Sequence, residues 1–473
     1  MYKILLFIFC ALFPFSLFSQ GLTLSVALDE AMTYNLELKK QEQRVLQSDA
    51  YNKSMVGWFM PKISINAGYT WFNDNMEINM KMIKPALDEV AGSYGASIAN
   101  DLGLASGTQE EIYNQIINGL GKLPDDNIVF DFNQFPNASV NLIQPLFTGG
   151  RIVSAKNTAD VGSNIAHLQM ITVKNTLSKN IVEKYFLVVF LEEVVKTKRL
   201  AVKDIGKHVQ HTAKMVEKGA LPKVDMLRAQ VALAAAQREL EDELSRLDIA
   251  RSSLNLSIGY PEDTMTLLSD SLHFKVLNIN IQELQNEAKS KLPVYKLEEQ
   301  KKRIAEQNYN AQRAKMMPEL FAYANYSFFN NYLPVVPAPF TAGIQLRYNI
   351  FNGGSDYKKM QAGKYMINEA LISEKNTEKK VNFLIDKAYK QVKASESRYL
   401  KLQSTLDLSE ENYRISKKRF EQGLGRSVDV LDAYTLLESA RLERLLSLYA
   451  YYVAINNLYY ASGQSDKIAE VLK

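Results

Sequence analysis

"NLIQPLFTGGRIVSAKN" fills residues 141–157. Apolar and polar side chains alternate up to Phe147, Gly149-Gly150 follows, and no proline then occurs until Pro222. The alternation has the two-residue period of a strand. The proline-free segment from Gly149 to Glu217 predicts a helix about 100 Å long at ~1.5 Å per residue. "LRYNIFNGGSDYKKMQ" at 346–361 has the same arrangement. A strand that runs straight into so long a helix, twice in one chain, decides the fold.

The two glycine pairs, Gly149-Gly150 and Gly353-Gly354, stand 204 residues apart. "VEKGALPKVDML" (216–227) and "FEQGLGRSVDVL" (420–431) keep that offset, matching Gly219 with Gly423, Asp225 with Asp429 and Leu227 with Leu431. Nearer the N-terminus the offset is 257, as Pro61 matches Pro318 and Glu30-Ala31 matches Glu287-Ala288. The 53 extra residues of the first copy lie between Tyr69 and Val140. The chain therefore reads as a tandem duplication, with one repeat over 21–273 and the second over 274–473. Each repeat has a helix, a strand, a loop, a strand, a very long helix, a glycine turn and a return helix.

Within "KISINAGYTWF" (62–72), Ile63, Ile65, Ala67, Tyr69 and Trp71 share one face, opposite Lys62, Ser64, Asn66, Gly68 and Thr70. The counterpart "ELFAYANYSFF" puts Leu320, Ala322, Ala324, Tyr326 and Phe328 on the equivalent face. The second strands repeat it with Ala138, Val140 and Leu142, and with Ala342, Ile344, Leu346, Tyr348 and Ile350. Such a pattern suits an antiparallel sheet over a soluble core, or a membrane barrel with aromatics near the strand ends, such as Trp71, Phe72, Phe328 and Phe329.

The helices separate these readings. Ile181, Val188, Val195, Val202, Val209 and Val216 recur every seven residues, and Ile385, Val392, Tyr399, Leu406, Tyr413 and Phe420 form the same ladder 204 residues on. The return helices carry Met226, Leu233, Leu240, Leu247 and Leu254, matched by Val430, Leu437, Arg444, Tyr451 and Leu458. A sustained seven-residue stripe means long helices packed side by side. The companion positions Lys184, Leu191, Lys198 and Ile205 are mixed, which predicts a neighbour on each side and a wet face left over.

"MYKILLFIFCALFPFSLFSQG" at the N-terminus reads as a secretory signal peptide over residues 1–20, cut near Gln20. The one cysteine, Cys10, lies inside it, so disulfides and thiolate metal sites are not expected in the exported chain. Apolar residues make up 47% and charged residues 23%, a folded composition, and the net charge of +4 argues against a nucleic-acid binder with a broad basic face. The longest later apolar run, "YFLVVFL" at 185–191, stops at Glu192-Glu193, too short for a transmembrane helix. A hairpin of two strands returns to the side it left, so the glycine pairs mark where each hairpin ends and turns into a helix. Four strands per chain cannot close a barrel; two chains would give eight strands with a filled interior and three would give twelve around a water-filled pore.

Over almost all of its exported length the sequence resembles the TolC-type outer-membrane channel (outer membrane efflux protein) family. The features that carry the resemblance are the opening "LSVALDEAMTYNLELK", the junctions "QPLFTGGR" and "YNIFNGGS", and "KKRFEQGLGRSVDVLDAYTLLESARLE" at 417–443, in that order within a duplicated, exported chain. The resemblance implies an α+β membrane protein: a homotrimer with a twelve-stranded outer-membrane β-barrel, four strands per chain and in contact with outer-membrane lipid, continued by a long periplasmic α-helical barrel. It implies an export duct of a tripartite efflux or type I secretion system, with a periplasmic adaptor and an inner-membrane transporter as partners. The chain departs from the pattern in the long first loop, 73–136, which looks partly helical and should face outside.

No catalytic constellation, cofactor motif or metal site is expected. A secreted hydrolase would need a nucleophile–base pair that the sequence lacks, and a soluble periplasmic coiled-coil scaffold or adaptor would need its strand faces buried in protein. His208 and His211, three apart, lack a third ligand and read as solvated polar positions. "GLG" at 423–425 reads as a helix-to-helix turn, with Gly423 ending one helix.

Both turns, 217–226 and 421–430, should lie farthest from the strands. Gly219, Leu221, Gly423, Leu424 and Gly425 offer small or apolar surface on which an adaptor's helical hairpin could pack. Asp225 and Asp429 suit the positive N-terminus of a return helix. Asp432 corresponds to Arg228, so the copies differ in charge there. The family resemblance gives Asp429 and Asp432 a place at the periplasmic aperture, with Asp225 beside it and Arg228 and Arg426 as ionic ties of the closed state.

Overall fold

The structure, a computed structural model, describes residues 21–101, 106–123, 126–130, 134–329 and 338–472. The expected signal peptide lies outside these residues. In chain order the elements are α1 (Leu24–Tyr34), α2 (Leu36–Ser54), β1 (Lys62–Trp71), β2 (Met76–Ile78), α3 (Met80–Asp101), α4 (Ser106–Leu120), β3 (Ile128–Phe130), β4 (Gln134–Phe147), α5 (Arg151–Glu217), α6 (Lys223–Ile258), α7 (Ile281–Lys291), α8 (Pro293–Ala314), β5 (Glu319–Ser327), β6 (Phe340–Arg347), α9 (Ser355–Glu421), α10 (Ser427–Ala461) and α11 (Ile468–Val471). They divide into a helical unit (to Met55, Val153–Arg313 and from Asn352) and a sheet unit (Val56–Ile152 and Ala314–Phe351).

In the helical unit α5 and α9 are each 67 residues long and start 204 positions apart. The expected stripes are where they pack. Ile181, Val188 and Val195 on α5, Ile385, Val392, Tyr399 and Phe420 on α9, Leu247 and Leu254 on α6, and Val430, Leu437, Tyr451 and Leu458 on α10 are all buried. Arg444 interrupts the α10 stripe without leaving it: its guanidinium lies 4.7 Å from the Tyr399 ring centroid, and its Nη2 donates to the Tyr399 hydroxyl at 2.7 Å. The companion stripe has the expected neighbour on each side, but these positions are drier than a wet face would be. Leu191, Lys198 and Ile205 are buried, because α5 has α6 on one side and α10 on the other. The Lys198 ammonium bridges Glu239 of α6 at 2.7 Å and Glu438 of α10 at 2.8 Å. Buried Asn456 of α10 donates to the Lys179 carbonyl of α5 at 2.9 Å.

The start of the described chain is tied to the segment joining the repeats. Leu22 bridges Leu268 in parallel, and Asp270 accepts from the Leu24 N–H (2.7 Å) and the Tyr185 hydroxyl (2.8 Å). Burial and the Asp270 carboxylate both push the Tyr185 phenol well above its ordinary range.

In the sheet unit four antiparallel strands follow the order β1-β4-β5-β6. The registers stack the expected faces across all four. Ile65, Val140, Tyr326 and Phe340 form one cross-strand row, and Ser64, Asn141, Asn325 and Thr341 form the next. Adjacent rows point to opposite sides, so one side of the sheet is apolar, while the other mixes Ser64, Asn141, Asn325 and Thr341 with Ile143, Tyr323 and Phe321. Asn325 donates to Asn141 at 2.5 Å within the polar row. The apolar side is bare: Ile63 is 70% exposed, Ile65 73% and Ile344 68%. Tyr348 and Ile350, expected on strand β6, lie past its end at Arg347. Arg347 pairs with Glu319, and the preceding Pro318 has no N–H with which to extend the ladder.

The first hairpin loop is structured. Its helices α3 and α4 pack on each other, β2 and β3 pair as a two-stranded ribbon, and β4 begins at Gln134, within the loop expected to end at residue 136.

The strand-to-helix junctions are left-handed: φ is 61° at Gly149, 93° at Gly150, 58° at Gly353 and 73° at Gly354. A Cβ at Gly149 would lie 2.6 Å from the Ala314 carbonyl oxygen, whereas one at Gly150 would meet nothing within 4 Å. Thr148 starts α5, accepting the Arg151 N–H on its carbonyl at 2.9 Å. Gly150→Ala should therefore cost the left-handed strain alone, about 1–3 kcal/mol. Gly149→Ala adds the clash and should lower the unfolding temperature in detergent further. Equal temperatures would mean that close approach does not constrain the junction.

Candidate functional site: the helix–turn–helix tips

Both tips are built by the same hydrogen bonds. At the first, the Ala220 N–H reaches the Met215 carbonyl (2.8 Å) and the Gly219 N–H reaches the Val216 carbonyl (2.9 Å). At the second, Leu424 donates to Arg419 (2.8 Å) and Gly423 to Phe420 (2.9 Å). With φ of 74° and 75° at Gly219 and Gly423, these are Schellman motifs, in which glycine ends the helix as expected for Gly423. Leu424 stands out exposed and Leu221 is half-buried. A Cβ at Gly425 would come within 3.2 Å of the Phe420 nitrogen, so glycine keeps this turn close.

The return helices begin differently. Pro222 precedes α6, with Asp225 in the first turn and Arg228 Nη1 4.0 Å from Asp225 Oδ1. At α10, Asp429 accepts from the Arg426 backbone N–H at 3.2 Å and from Arg426 Nη2 at 2.7 Å. The Arg426 guanidinium and N–H hold the Asp429 carboxyl below its ordinary range. Asp432 is exposed one turn farther along. Arg426 and Asp429 are thus brought together within the chain, while Arg228 and Asp432 occupy equivalent positions on different tips.

The histidines are not solvated. His208 Nε2 is 2.8 Å from Ser427 Oγ, and the His208 and His211 rings pack on Phe420 with centroids at 4.8 Å and 5.7 Å. The end of α5 is thereby held to the end of α9 and the start of α10. Burial, then the charges of His211 and Lys417, push His208 down to about 4. Among the described residues no group of three or more His, Cys, Asp or Glu could hold a metal.

Sequence reasoning missed the Lys198 bridge to Glu239 and Glu438. Burial lowers the lysine's proton affinity, but the two carboxylates outweigh it and hold Lys198 above its ordinary value. Its signal was a lysine in a stripe position, which by itself fits equally well a side chain reaching water.

The model of the family described as "Outer membrane efflux protein" matches residues 133–260 and 296–464. No curated protein matches the sequence. Among solved structures, the outer-membrane channel OprN superposes with a TM-score of 0.71 at 15% identity, over 93% of this chain and 90% of that one. The CmeC outer membrane channel of Campylobacter jejuni gives 0.72 at 14% identity, over 93% and 86%. The outer membrane protein VceC of Vibrio cholerae gives 0.69 at 15% identity, over 93% and 96%. At these identities the likeness is one of fold.

The His208 contact predicts a pH dependence. A folded value of about 4 against an ordinary 6.5 means that the unfolded chain binds the proton more readily. The contribution is complete above pH 6.5 and is lost as pH falls toward 4. His208→Gln should shrink the drop in unfolding temperature between pH 7 and pH 4.5 relative to the parent. Parallel curves would show that His208 is not the group responsible.

Proposed function

The chain belongs to the outer membrane efflux protein family, and from that premise we propose that three copies form an outer-membrane export duct. In this reading the four-stranded sheets join into a twelve-stranded barrel, and the long helices join into a periplasmic tube that receives substrates from an adaptor and an inner-membrane transporter. The observation that carries it is the sheet: an apolar face on which Ile63, Ile65, Ile344 and Leu346 stand exposed, and two edges that have no strand partner among the described residues. In a bilayer every backbone group must find a partner, which a closed barrel provides and an open sheet does not. Among the described residues no helix is long and apolar enough to cross a membrane, so the strands are the spanning elements. A soluble scaffold would have to cover the apolar side, and within this chain it is bare. The equal lengths and common offset of α5 and α9 support descent from a tandem duplication.

The tips carry the remaining assignments. Gly219, Leu221, Gly423, Leu424 and Gly425 present the adaptor-docking surface, and Asp429 and Asp432, with Asp225, Arg228 and Arg426 beside them, form the periplasmic aperture. Three chains would contribute six carboxylates from Asp429 and Asp432, a ring that favours cations. Arg426 already occupies Asp429, so Asp432 is the freer charge.

Protein purified from outer membranes in detergent should have about three times the monomer mass; a soluble monomer would end this reading. In planar bilayers, Asp429→Asn with Asp432→Asn should weaken cation preference and abolish block by trivalent cations from the periplasmic side. Asp432→Asn alone should do more than Asp429→Asn alone. Unchanged selectivity and block in the double variant would put the gate elsewhere. For docking, Gly423→Glu should stop export while the trimer survives, whereas Gly423→Asn, which tolerates the left-handed turn, should still export. Normal export by Gly423→Glu would remove the tip from the docking surface.

A further inference from the structure

The α3–α4 hairpin is an insertion that the second repeat lacks, and the export reading leaves it without a role. Helix α3 carries an apolar seam that the other described residues leave largely uncovered. Ile83, Leu87, Val90 and Tyr94 follow at intervals of four, three and four residues, the spacing of a coiled-coil core. All four are exposed, Leu87 and Ile83 by little more than a third (37% and 38%), Val90 at 54% and Tyr94 at 68%.

Helix α4 lies on the other side. A Cβ at Gly92 would come within 3.1 Å of Tyr113 Cε2, so Gly92 marks the face of α3 that α4 covers. Gly92 falls opposite the seam on a heptad helix. The positions flanking the seam include small residues, Ala86, Ala91 and Ser93, which allow close approach of a second helix, while Asp88 and Glu89 point away from it. A helix that covered only the hairpin's own partner would need no second apolar face.

The occupant of the seam follows from its position and charge. The hairpin grows from the end of β1, and β1 is an edge strand whose open side faces the next copy in the export reading, on which this inference rests. Residues 73–133 hold ten acidic and three basic side chains, a balance that disfavours an anionic lipid surface. In heptad terms Leu87 and Tyr94 take one core position and Ile83 and Val90 the other. Leucine at the first with isoleucine at the second shifts parallel coils from two strands toward three or four.

We infer that the α3 helices of neighbouring copies pack on one another through Ile83, Leu87, Val90 and Tyr94, forming a parallel helical cluster at the end of the barrel where the β1–β4 loops emerge. The partner surface is thus a second copy of this chain. The cluster would draw the three inserts together on the threefold axis across that mouth.

Cysteine cross-linking tests this. Cys10→Ser leaves a cysteine-free background. Val90→Cys, Leu87→Cys and Asp88→Cys are each introduced singly and purified as the assembled protein in detergent. Mild oxidation should convert Val90→Cys and Leu87→Cys largely to covalent dimers, and Asp88→Cys little or not at all. Two seam positions guard against one variant failing to fold. An intact trimer by native mass in which neither seam cysteine cross-links, or in which Asp88→Cys cross-links equally well, overturns the inference and leaves the channel standing. A monomer by native mass overturns both.

Discussion

The unpaired backbone of the sheet constrains everything else. Among the described residues, strands β1 and β6 each offer one row of N–H and carbonyl groups to no strand partner. In water such edges invite uncontrolled pairing; in hydrocarbon each unmatched group costs several kcal/mol. The exposed apolar side removes the option of leaving the sheet in water. Edge and face together require other strands in register, and the complementary edges of a second copy are the nearest supply. The row of Ser64, Asn141, Asn325 and Thr341 lies on the opposite side of the sheet from the apolar row.

The helices meet a different demand. A helix of 67 residues cannot be stabilised by its own propensity over such a length without lateral support. The seven-residue stripes provide that support continuously, and three polar devices break its sameness. Arg444 stacks on Tyr399, Asn456 donates to the Lys179 carbonyl, and Lys198 sits between two glutamates on two helices. An apolar stripe alone would tolerate a slip of one heptad. A buried lysine moved by seven residues would lose both carboxylates, and breaking such a pair is far more costly than the pair itself is stabilising. These residues therefore fix which turn of α5 faces which turn of α6 and α10.

Where the sequence was legible, a local rule was at work. Strand alternation, glycine at left-handed junctions and the stripes depend on neighbours within a few turns, and they appear in the structure at most of the expected residues, with Tyr348 and Ile350 past the end of β6. The illegible parts depend on distant partners. His208 looked like a polar surface residue until Ser427, 219 positions away, and Phe420 were brought beside it. Lys198 and Glu438 lie on helices whose relative rotation no single-helix pattern specifies. The α3–α4 hairpin was visible only as helical composition, because nothing in the second repeat offers a counterpart from which to read its packing. At the tips, the glycine turns were readable. The pairing of Arg426 with Asp429 was not, since an arginine before a helix can turn toward water or toward the third residue of that helix with little difference in free energy.

The two tips share a backbone plan and differ in side chains, and the differences cluster. At an offset of 204, His208 corresponds to Asn412, Ser427 to Lys223, Lys198 to Leu402, Glu438 to Ala234 and Asp432 to Arg228. Every one of these positions lies on α5 or α9, or on the first third of α6 or α10. The contacts that join α5 to the α9–α10 hairpin are therefore made by residues that the other repeat does not have. A ring of equivalent hairpins would have every lateral contact alike, and no one hairpin could shift without all shifting. Unequal contacts remove that restriction. The tip of the α9–α10 hairpin meets α5 through the His208 and His211 rings on Phe420 and through His208 beside the Ser427 hydroxyl, a small contact that protonation of His208 weakens. Higher up, the Lys198 bridge holds the same helices with two charged pairs.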